Sequence, residues 1–360
     1  MITDVLGRGL TDLRVSVTDR CNFRCTYCKP RDQFGPGHAF LPRQALLTFE
    51  EIARVVAAAS WLGVRKVRLT GGEPLLRREL HVLVAALRAI DGIEDIAMTT
   101  NGVLLPDALP DLVAAGLDRV TVSLDALDPA VFAQMADVHV GVDVVTHAID
   151  AALDAGLAVK VNTVVQKGVN ESQILPLVEY GRQRGVVVRF IEFMDVGSTN
   201  GWTLTDVVTA RQILDVIAGA HPVRALSDAR GTAVAERWAY ADGAGEVGVI
   251  ASVSQPFCST CVRARLSAVG ELFTCLFATK GHDLRRLLRG PGTVAAGDVA
   301  SGAGNADGAA AGDVAAGLDD GDLRQVLSDI WGGRADRYSE LRHTGQSQPR
   351  DRVEMSYIGG

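Results

Sequence analysis

Six cysteines stand in two triplets, Cys21-x3-Cys25-x2-Cys28 and Cys258-x2-Cys261 followed after thirteen residues by Cys275, and none falls outside them. Six is too few for a disulfide scaffold in a chain of 360 residues. In a reducing compartment such groups are more often metal ligands. Three thiolates are one short of a closed four-cysteine zinc site, whereas an iron–sulfur cube held by three cysteines keeps one iron open to a further ligand. Taken alone, the second triplet also reads as a zinc knob completed by a distant His. The first is more specific, because Tyr27 precedes its last cysteine and a predicted strand runs directly into it.

A second chemistry lies beside the second triplet. Arg263 and Arg265 follow Cys261 at i and i+2, and on a strand their guanidiniums share a face, which suits a polyanion such as a triphosphate. Lys66, Arg68, Lys160 and Arg189 fall on predicted strands as well. A solvated basic edge is the plainer account of such residues. A chain with 36 Lys and Arg against 43 Asp and Glu, net charge −7, makes a local cationic pocket the stronger one. The same charge argues against nucleic acid or an anionic membrane as a partner. With 48% hydrophobic and 22% charged residues the chain can bury a core, which excludes wholesale disorder.

These side chains need a scaffold. Short β-branched runs alternate with Ala- and Leu-rich stretches and predict strands near Leu13 to Thr18, Val64 to Thr70, Asp95 to Thr100, Arg119 to Leu124, Leu157 to Val165 and Val186 to Glu192. Six βα units imply a parallel sheet, either an incomplete barrel or an open doubly wound sheet. Period two places Arg14 and Ser16, then Lys66, Arg68 and Thr70, then Thr121 and Ser123, then Lys160 and Asn162, opposite apolar neighbours. A sheet covered by helices on both sides is normally apolar on both faces, so the polar face favours a curved, partly open barrel with a wet lumen. We expect this barrel over residues 1–225 and a second region over 226–360. A short helix is expected near Ala210 to Gly219, a strand-like run at Val247 to Val253 and an amphipathic helix at Leu318 to Trp331. Residues from about 290 to 317 are of low complexity and are expected to form a mobile loop. The N-terminus lacks the pattern of a secretory leader and no apolar run is long enough for a bilayer, so the expected location is cytoplasmic.

The first triplet after its strand, with Thr70-Gly71-Gly72-Glu73-Pro74 after the second strand, resembles the radical S-adenosylmethionine (SAM) superfamily. The resemblance implies an α/β fold, an incomplete (β/α)6 TIM-like barrel of the radical SAM type, with a C-terminal auxiliary-cluster region covering the open side. It implies that Cys21, Cys25 and Cys28 hold a [4Fe–4S] cluster whose fourth iron is chelated by S-adenosylmethionine, and that Tyr27, Gly72, Glu73, Ser123 and Met194 contact that cofactor. The hydrogen-abstracting species is then a 5′-deoxyadenosyl radical, and no side chain is assigned a catalytic role.

Thr99-Thr100-Asn101-Gly102, Arg263-Ala-Arg265, Cys275-Leu-Phe-Ala, Asp336-Arg-Tyr-Ser-Glu and the terminal Gly359-Gly360 resemble the branch of that superfamily which cyclises GTP at the opening of molybdenum cofactor biosynthesis. The repetitive insert departs from that pattern and lies outside every motif. The resemblance implies a second [4Fe–4S] cluster on Cys258, Cys261 and Cys275 that binds the guanine. It further implies contacts to GTP from Arg14, Lys66, Arg68, Thr99, Lys160, Arg189, Arg263 and Arg265, and a Gly359-Gly360 tail that reaches the active site. The implied product is (8S)-3′,8-cyclo-7,8-dihydroguanosine 5′-triphosphate. Implied partners are an electron donor such as flavodoxin or ferredoxin and, by hand-off, cyclic pyranopterin monophosphate synthase; a homodimer is compatible. Two other readings share the cysteines: a peptide-modifying radical enzyme with an auxiliary cluster, and a non-catalytic zinc or electron-transfer protein.

Overall fold

A computed structural model describes residues 2–226, 232–290, 318–343 and 352–359. The low-complexity stretch from residue 291 onward, and Gly360, lie outside the described residues.

The six expected strands are present as β1 (Asp12–Ser16), β2 (Lys66–Thr70), β3 (Asp95–Thr100), β4 (Arg119–Ser123), β5 (Ala158–Val165) and β6 (Val187–Glu192). Between them run α1 (Phe49–Leu62), α2 (Leu80–Arg88), α3 (Leu105–Ala114), α4 (Pro129–Ala136), α5 (Val142–Asp154) and α6 (Ile174–Arg184), and α7 (Ala210–Ala220) follows β6. The local sequence explains the boundaries. At the start of α1 the Thr48 hydroxyl accepts from the Glu51 amide while the Glu51 carboxylate accepts from the Thr48 amide, a reciprocal cap. The helix stops at Gly63, whose φ of +126° is open only to glycine. Val67, Leu69, Val120, Val122 and Val161 are fully buried beneath the helices, and each alternates with a polar neighbour on the opposite face.

The six expected barrel strands belong to a larger sheet. Among the described residues it has twelve strands, because the C-terminal half, where the sequence predicts only a strand-like run at Val247 to Val253, adds β7 (Val223–Ala225), β8 (Glu236–Tyr240), β9 (Glu246–Ile250), β10 (Arg263–Leu266), β11 (Glu271–Phe273) and β12 (His282–Asp283). The strand order is β12-β11-β10-β1-β2-β3-β4-β5-β6-β9-β8-β7. Strand β10 joins β1 and β9 joins β6, both parallel, and two antiparallel strands finish each end. The C-terminal region therefore extends both edges of the open barrel. The expected boundary after residue 225 falls between β7 and β8, which pair antiparallel across it.

Among the described residues, the helices that follow are α8 (Arg285–Arg289), α9 (Asp320–Gly332), α10 (Tyr338–His343) and α11 (Met355–Ile358). Helix α9 packs on α1, and its Trp331, 1% exposed, donates its indole N–H to the Arg8 carbonyl at 2.9 Å. Around it Asp4 pairs with Arg8 at 2.6 Å and with Arg334 at 3.3 Å, all three buried. Among the described residues no helix is long and apolar enough to cross a membrane.

Candidate active site

The polar faces of β1 to β6 and of β10 surround one cavity of about 540 Å³. Register explains its charge. Arg14 on β1 lies beside Arg68 on β2 and beside Arg265 on β10, so three arginines stand abreast across β10-β1-β2. One pair of positions earlier, Asp12 lies between Lys66 and Arg263, and its carboxylate meets the Lys66 ammonium at 3.2 Å. Arg68 donates to the Thr99 and Thr121 hydroxyls at 3.2 and 3.1 Å, and Arg189 donates to Thr121 at 3.2 Å. The remaining donors have no such partner. Arg14 Nε, Arg68 Nε, Arg189 Nε and an Arg265 Nη are buried without a hydrogen bond among the described residues.

Burial and mutual repulsion disfavour the charge on this row. Burial, with Arg68, Arg263 and Arg189 nearby, lowers Arg14 to about 9 despite Asp12. Arg68 and Arg189 fall to about 10, mainly through burial, and Arg265 falls well below its ordinary value. Lys160, desolvated and facing Arg189, Arg119 and Lys66, drops to about 8. A bound polyanion removes both costs, because it supplies acceptors and opposite charge together.

The first triplet sits past the C-terminal end of β1. Glycines open a cradle beside it: a Cβ on Gly71 would lie 2.4 Å from the Thr18 carbonyl oxygen, and one on Gly72 2.2 Å from that of Arg20. Only a residue without a side chain fits there. Glu73 is buried, and its carboxylate accepts from the Leu75 amide, the Thr100 hydroxyl and the Asn101 amide; burial still pushes it up to about 7. The Tyr27 hydroxyl donates to Asp125 at 2.8 Å, and the other Asp125 oxygen accepts from the Val164 amide at 2.8 Å. Burial raises Asp125 to about 6. The thiols of Cys21 and Cys25 are raised as well, and Cys28 is pushed up to about 12, in each case chiefly by burial.

The second triplet lies at the other end of the lumen. Cys258 and Cys261 immediately precede the N-terminal end of β10, and antiparallel β11 delivers Cys275 to the same end. Arg8 donates to the Cys258 carbonyl and Arg334 to that of Cys261, each at 2.8 Å. Cys261 is desolvated, but Arg263 and Arg334 outweigh that and bring it to about 6. Arg263 reaches its sulfur at 3.3 Å. Cys275, buried and close to Asp336, rises to about 12.

The two donor sets suit iron–sulfur clusters. Each offers three half-buried thiols; ionisation is costly at Cys21, Cys25, Cys28 and Cys275 and is compensated by arginines at Cys261, and iron supplies the missing positive charge. Among the described residues no three His, Cys, Asp or Glu side chains converge on one metal ion, and a cube does not ask them to, since each thiolate takes its own iron.

All the expected cluster, SAM and GTP residues line this cavity: the six cysteines, Tyr27, Gly72, Glu73, Ser123, Met194, Arg14, Lys66, Arg68, Thr99, Lys160, Arg189, Arg263 and Arg265. Gly359 does not line it directly. It sits against Thr70, which does, at a φ of +75°, and a Cβ there would lie 2.5 Å from the Thr70 hydroxyl. Sequence reasoning placed Thr121 on a polar face without a role, and passed over Asp12, Asp125 and Arg334. Parity alone marks Asp12 and Thr121, since each shares the polar face of its strand. Asp125 and Arg334 carry no local signal, because their partners are distant in the chain.

Residues 15–181 match the family model of the radical SAM superfamily, and residues 186–297 match that of Molybdenum Cofactor Synthesis C. The GTP 3′,8-cyclase of Acidothermus cellulolyticus is 48% identical over 100% of this chain and 99% of its own, and that of Staphylococcus haemolyticus is 44% identical over the same shares. Among solved structures, Streptococcus suis SuiB bound to S-adenosylmethionine is similar over 58% of this chain and 47% of its own, at 17% identity and a TM-score of 0.49, too loose a likeness to carry an argument. The fold and the cysteine cavity are those of a radical SAM protein, with the [4Fe–4S] cluster and S-adenosylmethionine that this superfamily uses. Within it, the chain belongs to the GTP 3′,8-cyclase family.

Proposed function

We propose that this enzyme converts GTP to (8S)-3′,8-cyclo-7,8-dihydroguanosine 5′-triphosphate, the first step of molybdenum cofactor biosynthesis. The observation that carries the reading is the arginine row inside a cavity shared by both cysteine triplets. A triphosphate is the ligand whose charge and acceptors answer those buried, unpartnered nitrogens.

Once bound, S-adenosylmethionine on the first cluster supplies a hydrogen-abstracting radical. The protein's part is to bind and orient. Cys21, Cys25 and Cys28 hold the first cluster, and the Gly71-Gly72 turn lets the cofactor come close to backbone, with Tyr27, Glu73, Ser123 and Met194 around it. Cys258, Cys261 and Cys275 hold a second cluster that presents the guanine. Arg14, Arg68, Arg189, Arg263 and Arg265, with Lys66, Lys160 and Thr99, fix the triphosphate. The ribose then lies between the two ends of the lumen, shielded from water and held near the attack geometry. Gly359 sits against Thr70 at the edge of the cavity. An outside one-electron donor of the flavodoxin or ferredoxin kind and a downstream cyclic pyranopterin monophosphate synthase complete the reading.

Anaerobic incubation of the reconstituted chain with dithionite, S-adenosylmethionine and GTP tests it. The expected result is 5′-deoxyadenosine together with the cyclised nucleotide. A protein that holds both clusters and yields neither overturns the proposal; release that needs a peptide and not GTP assigns the chain to peptide modification.

A further inference from the structure

The reaction needs an electron from outside the chain, and the surface over the first triplet shows where a carrier can deliver it. Residues 17–43 contain five Lys and Arg against two Asp, in a chain whose net charge is −7. The structure gathers much of that charge on one ring. Phe40, half-buried, has Lys29, Arg24 and Arg20 at 5.1, 5.5 and 5.9 Å from its centroid. Lys29 follows Cys28 directly, and Arg24 donates to the Cys21 carbonyl at 2.7 Å, so this group rests on the triplet itself.

The positive surface continues beyond the ring. Arg43 and Arg78 are exposed, and burial, with Arg43 nearby, disfavours the charge on Arg77, whose guanidinium bonds to the Val17 and Leu47 carbonyls beside the same loop. Arg31 is neutralised by Asp137 at 2.8 Å, whereas Arg20, Arg24 and Arg43 meet no carboxylate among the described residues. Asp19 is buried, which leaves Asp32 and Glu79 as the exposed acids of these segments. Cations packed on an aromatic ring are partly desolvated and held in place, which favours docking over mere solubility.

We propose that the basic, aromatic-centred surface formed by Arg20, Arg24, Phe40, Arg43 and Arg78, with Lys29 buried beneath it, is the docking site of an acidic one-electron carrier protein. The carrier is oxidised by one electron and the cluster on Cys21, Cys25 and Cys28 is reduced by one; no bond is made or broken. The inference rests on the first cluster alone and holds whatever the substrate.

Stopped-flow measurement of cluster bleaching by a reduced acidic [2Fe–2S] ferredoxin, on the full reconstituted chain with S-adenosylmethionine and without GTP, is the test. At low salt, Arg43→Glu with Arg78→Glu lowers the second-order rate constant about tenfold or more and flattens its salt dependence. Reduction by dithionite stays unchanged, Arg43→Lys restores the wild-type rate, and Arg211→Glu, an exposed reversal on α7, has no effect. A carrier rate insensitive to salt in the wild type, or unchanged in the double variant, overturns the proposal, as does an equal loss with dithionite or with Arg211→Glu. Because GTP is absent, failure here is distinguishable from failure of the cyclisation reading.

Discussion

The two cysteine triplets have the same number of thiols and opposite electrostatic surroundings. Around the first, the ionisable neighbours facing the cavity are Glu73 and Asp125, two buried carboxyls raised to about 7 and about 6. Around the second they are Arg263, Arg265 and Arg334 with one carboxylate, Asp336; the arginines bring Cys261 to about 6, whereas Cys275, buried beside Asp336, stands at about 12 as Cys28 does at the first. A sulfonium and an ammonium suit the first environment, and a triphosphate suits the second. On the proposed function, one fold would thus separate a cationic cofactor from an anionic substrate by the sign of the field at each end of a single lumen.

The largest expected break comes from removing a ligand at one end only. Cys28→Ala abolishes 5′-deoxyadenosine formation, a loss of about a thousandfold or more, while GTP binding followed by equilibrium dialysis persists; loss of both would show that the two ends do not act separately. Next is Arg265→Ala, which removes a central member of the arginine row. It is expected to weaken GTP binding by about 10- to 100-fold, as for a charge-assisted contact, and to leave S-adenosylmethionine affinity and iron content intact. Unchanged GTP affinity would place the triphosphate elsewhere.

The smallest effect is the most specific to the comparison. GTP favours protonated Lys160, so its affinity falls a few-fold as pH rises through about 8. S-adenosylmethionine favours ionised Glu73 and Asp125, so its affinity rises as pH climbs through about 6 to 7. Opposite slopes in the two titrations support the division, and parallel slopes remove it.

Much of this site was legible in the sequence because strand parity is a rigid rule. Once Val67 and Leu69 are assigned inward against helices, Lys66, Arg68 and Thr70 must face the other way, and the same holds for Lys160 with Asn162. The cysteine spacing and the Gly-Gly turn carried the rest. What could not be read was the pairing of the C-terminal strands. Runs of two to five residues such as His282–Asp283 and Arg263–Leu266 are too short for periodicity, and their partners are set by contacts far away in the chain. The clamp on the second triplet was hidden for the same reason: Arg8 reaches Cys258 across 250 positions, and Arg334 reaches Cys261 across 73.

The pairing of β1 with β10 also works as a ruler. β1 leads out toward one triplet and β10 leads in from the other, so the two triplets sit past opposite ends of a five-residue strand, roughly 16 Å long at the usual rise per residue. A slip of one residue would turn Arg265 away from Arg14 and change the span at the same time. The alignment of the arginine row and the separation of the two cysteine triplets are therefore encoded in a single strand register, and neither can drift without the other.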